Sequence, residues 1–214
     1  MTKFTPEPNK NYKNIIFDLG NVLINVDLML TFNKFIDFGL KIYDKQDFFG
    51  RFVNNGLLFD FEKGLFGCWQ FFDKVRNELE FNFSDSEIIE AWNALLLDIP
   101  QKRIDLLYEL KKSYNLYLLS NTNEIHLNTI LQCMIGKYRK DIFSEIFIKE
   151  HYSHQLHLRK PDSKIFRYVL MHARLHAEET LFIDDSADNI AAANAHGING
   201  FLLTKETEVA DLFI

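Results

Sequence analysis

Residues 180–198 read TLFIDDSADNIAAANAHGI. The opening run, 180–183, is hydrophobic on both faces rather than alternating, as expected of a strand buried in a parallel sheet. Asp184 and Asp185 come directly after it, and Asp188 and Asn189 stand where a helix begins. Ile190, Ala193 and Ala195 then recur at helical spacing up to Gly197, a natural helix stop. Four further runs share the first one's character: 14–19 (NIIFDL), 115–120 (NLYLLS), 145–148 (EIFI) and 200–203 (GFLL). Helical spacing separates them, with Ile104, Leu107, Tyr108 and Leu110 before the second run and Ile165, Val169 and His172 after Pro161. Alternation of this kind predicts an α/β fold, a Rossmann-like three-layer core around a parallel sheet.

One connection does not fit that plan. About 80 residues separate the first strand from the helix leading into the second, where a crossover needs a dozen or somewhat more. The insert shows no strand pattern and reads as helices over 27–38, 46–54, 68–79 and 86–97. The last opens on Ser84-Asp85-Ser86-Glu87, a capping-box pattern. The expected organisation is therefore an α/β core made of 1–25 and 100–214, interrupted by an α-helical domain over 26–99. Of the chain's 21 phenylalanines, 13 lie between Phe32 and Phe83. Small helices with few residues available bury area efficiently with large aromatic side chains.

Composition removes several classes of function. With 214 residues, 47% hydrophobic and 25% charged, the chain is neither disordered nor fibrous. Its net charge of −6 comes without a basic stripe, which argues against nucleic acid and against a polybasic membrane contact. No apolar run approaches the ~20 residues of a membrane span. Cys68 and Cys133 lack metal spacing and read as free thiols, and the polar start lacks a signal-like segment, so a cytoplasmic protein is expected. A dinucleotide fingerprint and a Walker A sequence are both absent.

Ligands of open α/β sheets bind at the carboxyl ends of the strands. Beyond the strand ends of this chain stand Asp18-Leu19-Gly20-Asn21, then Ser120-Asn121-Thr122-Asn123, then Arg159-Lys160-Pro161, then Asp184-Asp185. Singly these are weak signals, since acids at strand ends often cap helices and Lys-Pro is a common loop dipeptide. Together they are coherent. Three crowded carboxylates need a cation, and oxygen ligands favour Mg²⁺. A lysine, a hydroxyl and free N–H groups can hold a phosphate. Asp18 can attack phosphorus in line, giving an aspartyl-phosphate that water hydrolyses.

At IIFDLGNVL (15–23), LLSNTN (118–123), RKPDSKIF (159–166) and FIDDSADNIAAANAHGI (182–198) the chain resembles the haloacid dehalogenase superfamily, specifically its phosphatases with a helical cap. The wording is most similar to the branch that includes α-D-glucose-1-phosphate phosphatases. That resemblance implies Asp18 as nucleophile. It implies Ser120, Asn121 and Lys160 as phosphate ligands. Mg²⁺ would be held by Asp18, the Gly20 carbonyl and Asp185, with Asp184 assisting and Asn189 behind it. Members of the superfamily usually carry an aspartate as general acid and base where this chain has Gly20. A dehalogenase also lacks that aspartate, but it attacks carbon without a metal, which would leave the Asp184-Asp185 pair without a purpose. A sugar 1-phosphate suits Gly20 better, because its anomeric hydroxyl leaves readily. A nucleotide, flavin mononucleotide or other small phosphate is the alternative within the class, and a catalytically silent binding protein the alternative outside it.

Other candidates read as background. His151, His154 and His157 are expected as exposed loop residues rather than a zinc site. His172 and His176, four apart on a helix, are expected to be structural. Glu62-Lys63-Gly64 falls where related caps dip a loop towards the site, with Lys63 expected solvated and Trp69 in the cap core. The exposed aromatic surface of the cap is the first place to expect a dimer contact.

Overall fold

The structure, a computed structural model, describes residues 12–42 and 44–213. Five parallel strands, β1 (Asn14–Phe17), β2 (Asn115–Ser120), β3 (Lys149–Tyr152), β4 (Thr180–Asp184) and β5 (Asn199–Leu202), form one sheet in the order β3-β2-β1-β4-β5. Asn14 pairs in register with Asn115 on one side and Thr180 on the other, so three strands start level and run side by side to Phe17, Leu118 and Ile183. Ile15 and Phe17 pack into one layer of core, and Ile16, Tyr117 and Phe182 into the layer on the opposite face. That alternation places helices on both faces and makes the three-layer α/β core expected from the sequence.

Between β1 and β2 lie α1 (Leu28–Asp37), α2 (Lys45–Val53), α3 (Leu57–Glu62), α4 (Cys68–Leu79) and α5 (Asp85–Asn93), with α6 (Gln101–Leu110) after them on the sheet. The first five share a core of their own, built from Phe32, Phe35, Phe48, Phe52, Phe61, Phe71, Phe72, Phe83 and Trp92. Phe61 and Phe71 stack at 4.0 Å, and Phe35 meets Phe83 edge-on at 5.1 Å. Ser84 caps α5 as its sequence pattern predicts, receiving Glu87 N while Glu87 Oε2 accepts from Ser84 N at 2.7 Å. The two linkers to the sheet domain pair with each other: Asn25 N donates to Asp98 O at 3.0 Å and Leu97 N to Asn25 O at 3.0 Å, with Val26 bridged to Leu96.

The remaining helices are α7 (Glu124–Tyr138), α8 (Ile142–Ile146), α9 (Ser153–Leu156), α10 (Ser163–Ala173) and α11 (Ala187–Asn194). The third strand departs from expectation. EIFI over 145–148 is not a strand; α8 takes its first residues, and the strand is the polar KEHY immediately after it. Asp141 caps α8 by accepting from Phe143 N and Ser144 N, and Ile142, Phe143 and Ile146 bury a helical face. β3 is an edge strand paired only with β2, so it needs no continuous apolar run. The short α3 is also beyond the sequence expectation.

Trp69 is 71% exposed rather than in the cap core. Phe71, Phe72, Val75 and Leu79 occupy the inward face of α4, and position 69 falls off that face. His151 is buried on β3, its Nδ1 3.2 Å from Leu118 O, and burial lowers its pKa to about 4. It is therefore neither exposed nor on a loop. His172 is exposed on α10, stacked on Tyr168, and His176 lies beyond the helix end, so the two do not share a helical face.

Candidate active site

The carboxyl ends of β1, β2 and β4 bring the expected residues to one edge of the sheet. Asp18 continues β1 by donating its N–H to Ile183 O at 2.9 Å, which fixes its side chain above the strand end. Lys160, 1% exposed, directs its ammonium to three acceptors: Asp18 Oδ1 at 2.6 Å, Asp184 Oδ2 at 2.7 Å and Leu119 O at 2.9 Å. An ammonium has three protons, so each is satisfied. The lysine backbone is gripped by one amide: Lys160 N donates to Asn121 Oδ1 at 2.8 Å, and Asn121 Nδ2 donates to Lys160 O at 2.9 Å. The bond to Pro161 is cis.

Asp184 is fully buried and saturated. Besides Lys160, its oxygens accept from Ser186 N at 2.8 Å and from Asn189 Nδ2 at 3.0 Å. Asp185 faces outward and accepts from Asn21 Nδ2 at 2.9 Å. Ligand oxygens of Asp18, Asp184 and Asp185 lie within 4.8 Å of one another, the single such cluster of three or more acidic, histidine or cysteine groups among the described residues. Burial raises the Asp18 carboxyl to about 7; the Lys160 ammonium opposes the shift and the Asp184 carboxylate adds to it. Burial alone would lower Lys160, but the Asp18 and Asp184 carboxylates hold it above the ordinary lysine value.

Ser120 is buried at the end of β2, and Thr122 is locked by Ser153, whose Oγ accepts from Thr122 N and donates to Thr122 O, both at 2.9 Å. Gly20 carries no steric requirement: a Cβ there would meet nothing closer than Val26 Cγ2 at 3.7 Å.

Three contacts lie outside the sequence expectations. Asn21 adopts φ +54 and holds Asp185; its one signal is an asparagine directly behind Gly20, a residue type that tolerates left-handed backbone. Arg159 reaches across to the cap, with Nε and Nη2 at 3.0 and 2.9 Å from Glu62 Oε2 and its guanidinium 4.2 Å over Phe59. Burial raises the Glu62 pKa despite Arg159. His126 stacks on Trp92 with ring planes 2° apart, and burial lowers its pKa to about 3, so it is neutral. Of the loop 62–64, Lys63 pairs with Asp60 and its carbonyl is 2.8 Å from His157 Nδ1. Gly64 has φ +62, and a Cβ on it would lie 2.2 Å from His154 O.

A cavity of about 330 Å³ lies between these cap elements and the sheet edge, lined on the sheet side by Gly20, Ser120 and Asn121. No helix among the described residues is long and apolar enough to cross a membrane.

The sequence profile of the haloacid dehalogenase-like hydrolases matches residues 12–197. A haloacid dehalogenase family enzyme from Bacteroides thetaiotaomicron is 33% identical and superimposes with a TM-score of 0.88 over 96% of this chain and 100% of its own. Its complex with magnesium and inorganic phosphate superimposes at 0.85, with 33% identity over 95% of this chain and 100% of its own. A D-ribitol-5-phosphate phosphatase from that species is 27% identical over 189 residues, 88% of this chain and 90% of that protein. A sesquiterpene phosphatase from Aspergillus oryzae is 26% identical over 194 residues, 90% of each chain. The chain belongs to the haloacid dehalogenase-like hydrolases.

Proposed function

We propose that the protein is a Mg²⁺-dependent phosphomonoester hydrolase that acts on a small phosphorylated metabolite through an aspartyl-phosphate. The observation carrying this reading is the cluster of Asp18, Asp184 and Asp185, the first two paired with Lys160, beside a cavity lined by Ser120 and Asn121. In this reading residues 26–99 are the cap and 1–25 with 100–214 the catalytic core.

The residues fit Mg²⁺. The donor set is all oxygen, and three clustered carboxylates face the single ammonium of Lys160. Asp18, the Gly20 carbonyl and Asp185 would hold the ion, with Asn21 fixing the Asp185 carboxylate. Asp184 is saturated by protein donors, so its work is to orient Lys160. When bound, the ion neutralises charge on the transferring phosphoryl group. Asp18 attacks phosphorus. Lys160, positioned by Asn121 and Asp184, stabilises the charge on the phosphoryl oxygens. Ser120 and main-chain N–H groups after β2 hold the phosphate. With its side chain engaged by Lys160, Asn121 offers its backbone. The docked cap keeps water from the first step and must open for the second.

Gly20 offers no proton to the departing oxygen, so the alcohol must leave without help from that position. Within carbohydrate esters, glucose 1-phosphate meets this demand and glucose 6-phosphate does not. The named relatives act on D-ribitol 5-phosphate and on a sesquiterpene phosphate, which spans polyol and hydrocarbon alcohols. Phosphate release is the test, run over sugar 1- and 6-phosphates, D-ribitol 5-phosphate, nucleotides and flavin mononucleotide, with and without Mg²⁺. Mg²⁺-dependent release that vanishes in Asp18→Asn is expected. Tight phosphate binding with no release from any ester would establish a silent binding protein instead.

A further inference from the structure

The cavity beside the site has two kinds of wall. Its sheet side offers Gly20, Ser120 and Asn121, suited to a phosphate, whereas its cap side is built from Phe48, Phe49, Phe52, Leu58 and Trp92. Several polar groups of the wall are engaged within the protein: the Thr31 hydroxyl donates to Trp92 O at 3.3 Å, Glu62 Oε2 receives both nitrogens of Arg159, and neutral His126, on the sheet-domain side, lies on Trp92 with its Nδ1 3.1 Å from Asn93 Oδ1. Trp92 Nε1 is the buried polar atom of this wall without a partner. A carbohydrate entering here would leave most of its hydroxyls desolvated and unmatched, which is strongly unfavourable. Pockets of about 300 Å³ upward lined by aromatic and aliphatic side chains accept apolar rings and chains.

We infer that the alcohol side of the scissile ester is hydrophobic, so that the enzyme's substrates are monophosphates of apolar hydroxyl compounds, aryl or prenyl, rather than of sugars. The inference rests on the phosphatase reading above and specifies its substrate. For the aryl esters it also answers Gly20. A phenolate leaves far more readily than an alkoxide and needs no acid at that position. An Asp18 oxygen bonds to phosphorus as the phosphorus–oxygen bond to the aryl group breaks, and the electron pair departs on the phenolate, which takes a proton from water. A water then attacks the aspartyl-phosphate, returning the Asp18 carboxylate and inorganic phosphate, with its proton released to solvent.

The test compares kcat/KM for 1-naphthyl phosphate, geranyl phosphate, glucose 1-phosphate and D-ribitol 5-phosphate at fixed Mg²⁺, with acetyl phosphate as a substrate that places almost nothing in the chamber. One of the two apolar esters should exceed both carbohydrate esters by about tenfold or more, the scale on which hydrophobic pockets discriminate. Whichever apolar ester leads separates the aryl from the prenyl source. Val53 lines the cavity and is 39% exposed, so Val53→Asn is compatible with folding; it should narrow the apolar-to-glucose ratio by about tenfold. A carbohydrate ester that equals or beats both apolar esters overturns the inference, as does an unchanged ratio in Val53→Asn. Acetyl phosphate separates the two layers: turnover of it beside a carbohydrate preference keeps the phosphatase and removes the apolar chamber. If acetyl phosphate and every ester stand unhydrolysed, the phosphatase reading has failed. Equilibrium binding of 1-naphthyl phosphate against glucose 1-phosphate then decides the chamber alone, equal affinity overturning it.

Discussion

Lys160 Nζ stands 2.6 Å from Asp18 Oδ1 and 2.7 Å from Asp184 Oδ2, a single buried cation between two buried carboxylates. With Asp185 alongside, the cluster holds more negative than positive charge, so its members oppose one another and depend on Lys160. Lys160→Met strands the two carboxylates and is expected to cost about 3–5 kcal/mol of stability. Asp18→Asn relieves the crowding, so it should abolish turnover while holding or raising the melting temperature. Urea unfolding of both variants checks the opposite signs.

The same excess charge predicts a response to Mg²⁺. Saturating ion should raise the melting temperature of the wild type, by the equivalent of about 2.7 kcal/mol at a hundredfold excess over Kd. Asp185→Asn removes the outward carboxylate without touching the Lys160 network and should lose most of this shift. Thermal scans with Mg²⁺ and with a chelator distinguish the outcomes.

Gly20 has negative φ and room for a Cβ, so its lack of a side chain is a matter of chemistry rather than of backbone. Gly20→Asp should fold normally. It should speed hydrolysis of esters with poor leaving alcohols, such as glucose 6-phosphate, by up to about 10²-fold, the lower end of what a positioned acid contributes. Esters with good leaving groups should gain little. Relative rates on the two classes are the readout.

At Gly64 the loop lies against the backbone of His154, and Gly64→Ala combines positive φ with a clash against His154 O. Displacement of the loop would pull Glu62 from Arg159. A loss of about 1–3 kcal/mol is expected, read as a higher KM and faster limited proteolysis of the cap. Glu62→Gln should show the same direction more weakly, because it keeps the backbone contact.

Two buried histidines set an acid limit on stability. His126, at about 3, and His151, at about 4, have folded pKa values below the ordinary imidazole value near 6.5. Below pH 6.5 the unfolded chain therefore binds protons that the folded chain refuses, and stability falls with falling pH down to the folded values. Each contributes a slope of at most about 1.4 kcal/mol per pH unit. Asp18, raised to about 7, acts in the opposite sense over pH 7 to 5, so the histidine contribution is read as a difference: His126→Phe should lose one such slope relative to the wild type in denaturant unfolding across that range.

Legibility in the sequence depends on which interactions are local. Strand–turn–helix units such as 180–198 carry their whole signal in adjacent residues, and so does the capping box at Ser84. The acids and Lys160 are recoverable because parallel topology dictates that strand ends converge. EIFI misleads because a buried helical turn and a buried strand have the same apolar look over four residues. Trp69 and His151 mislead because hydrophobicity does not say which face of a short element is inward. Glu62 with Arg159, and Asn21 with Asp185, join residues distant in sequence through single side-chain contacts, and only folded geometry pairs them.

The paired linkers at Asn25 and Leu97 give the insertion a particular status. The chain leaves and re-enters the sheet domain at one rung, so whatever is strung between those points begins and ends in the same place. A junction of this kind keeps both ends of the insert on the sheet domain at a single place, whatever helices lie between them.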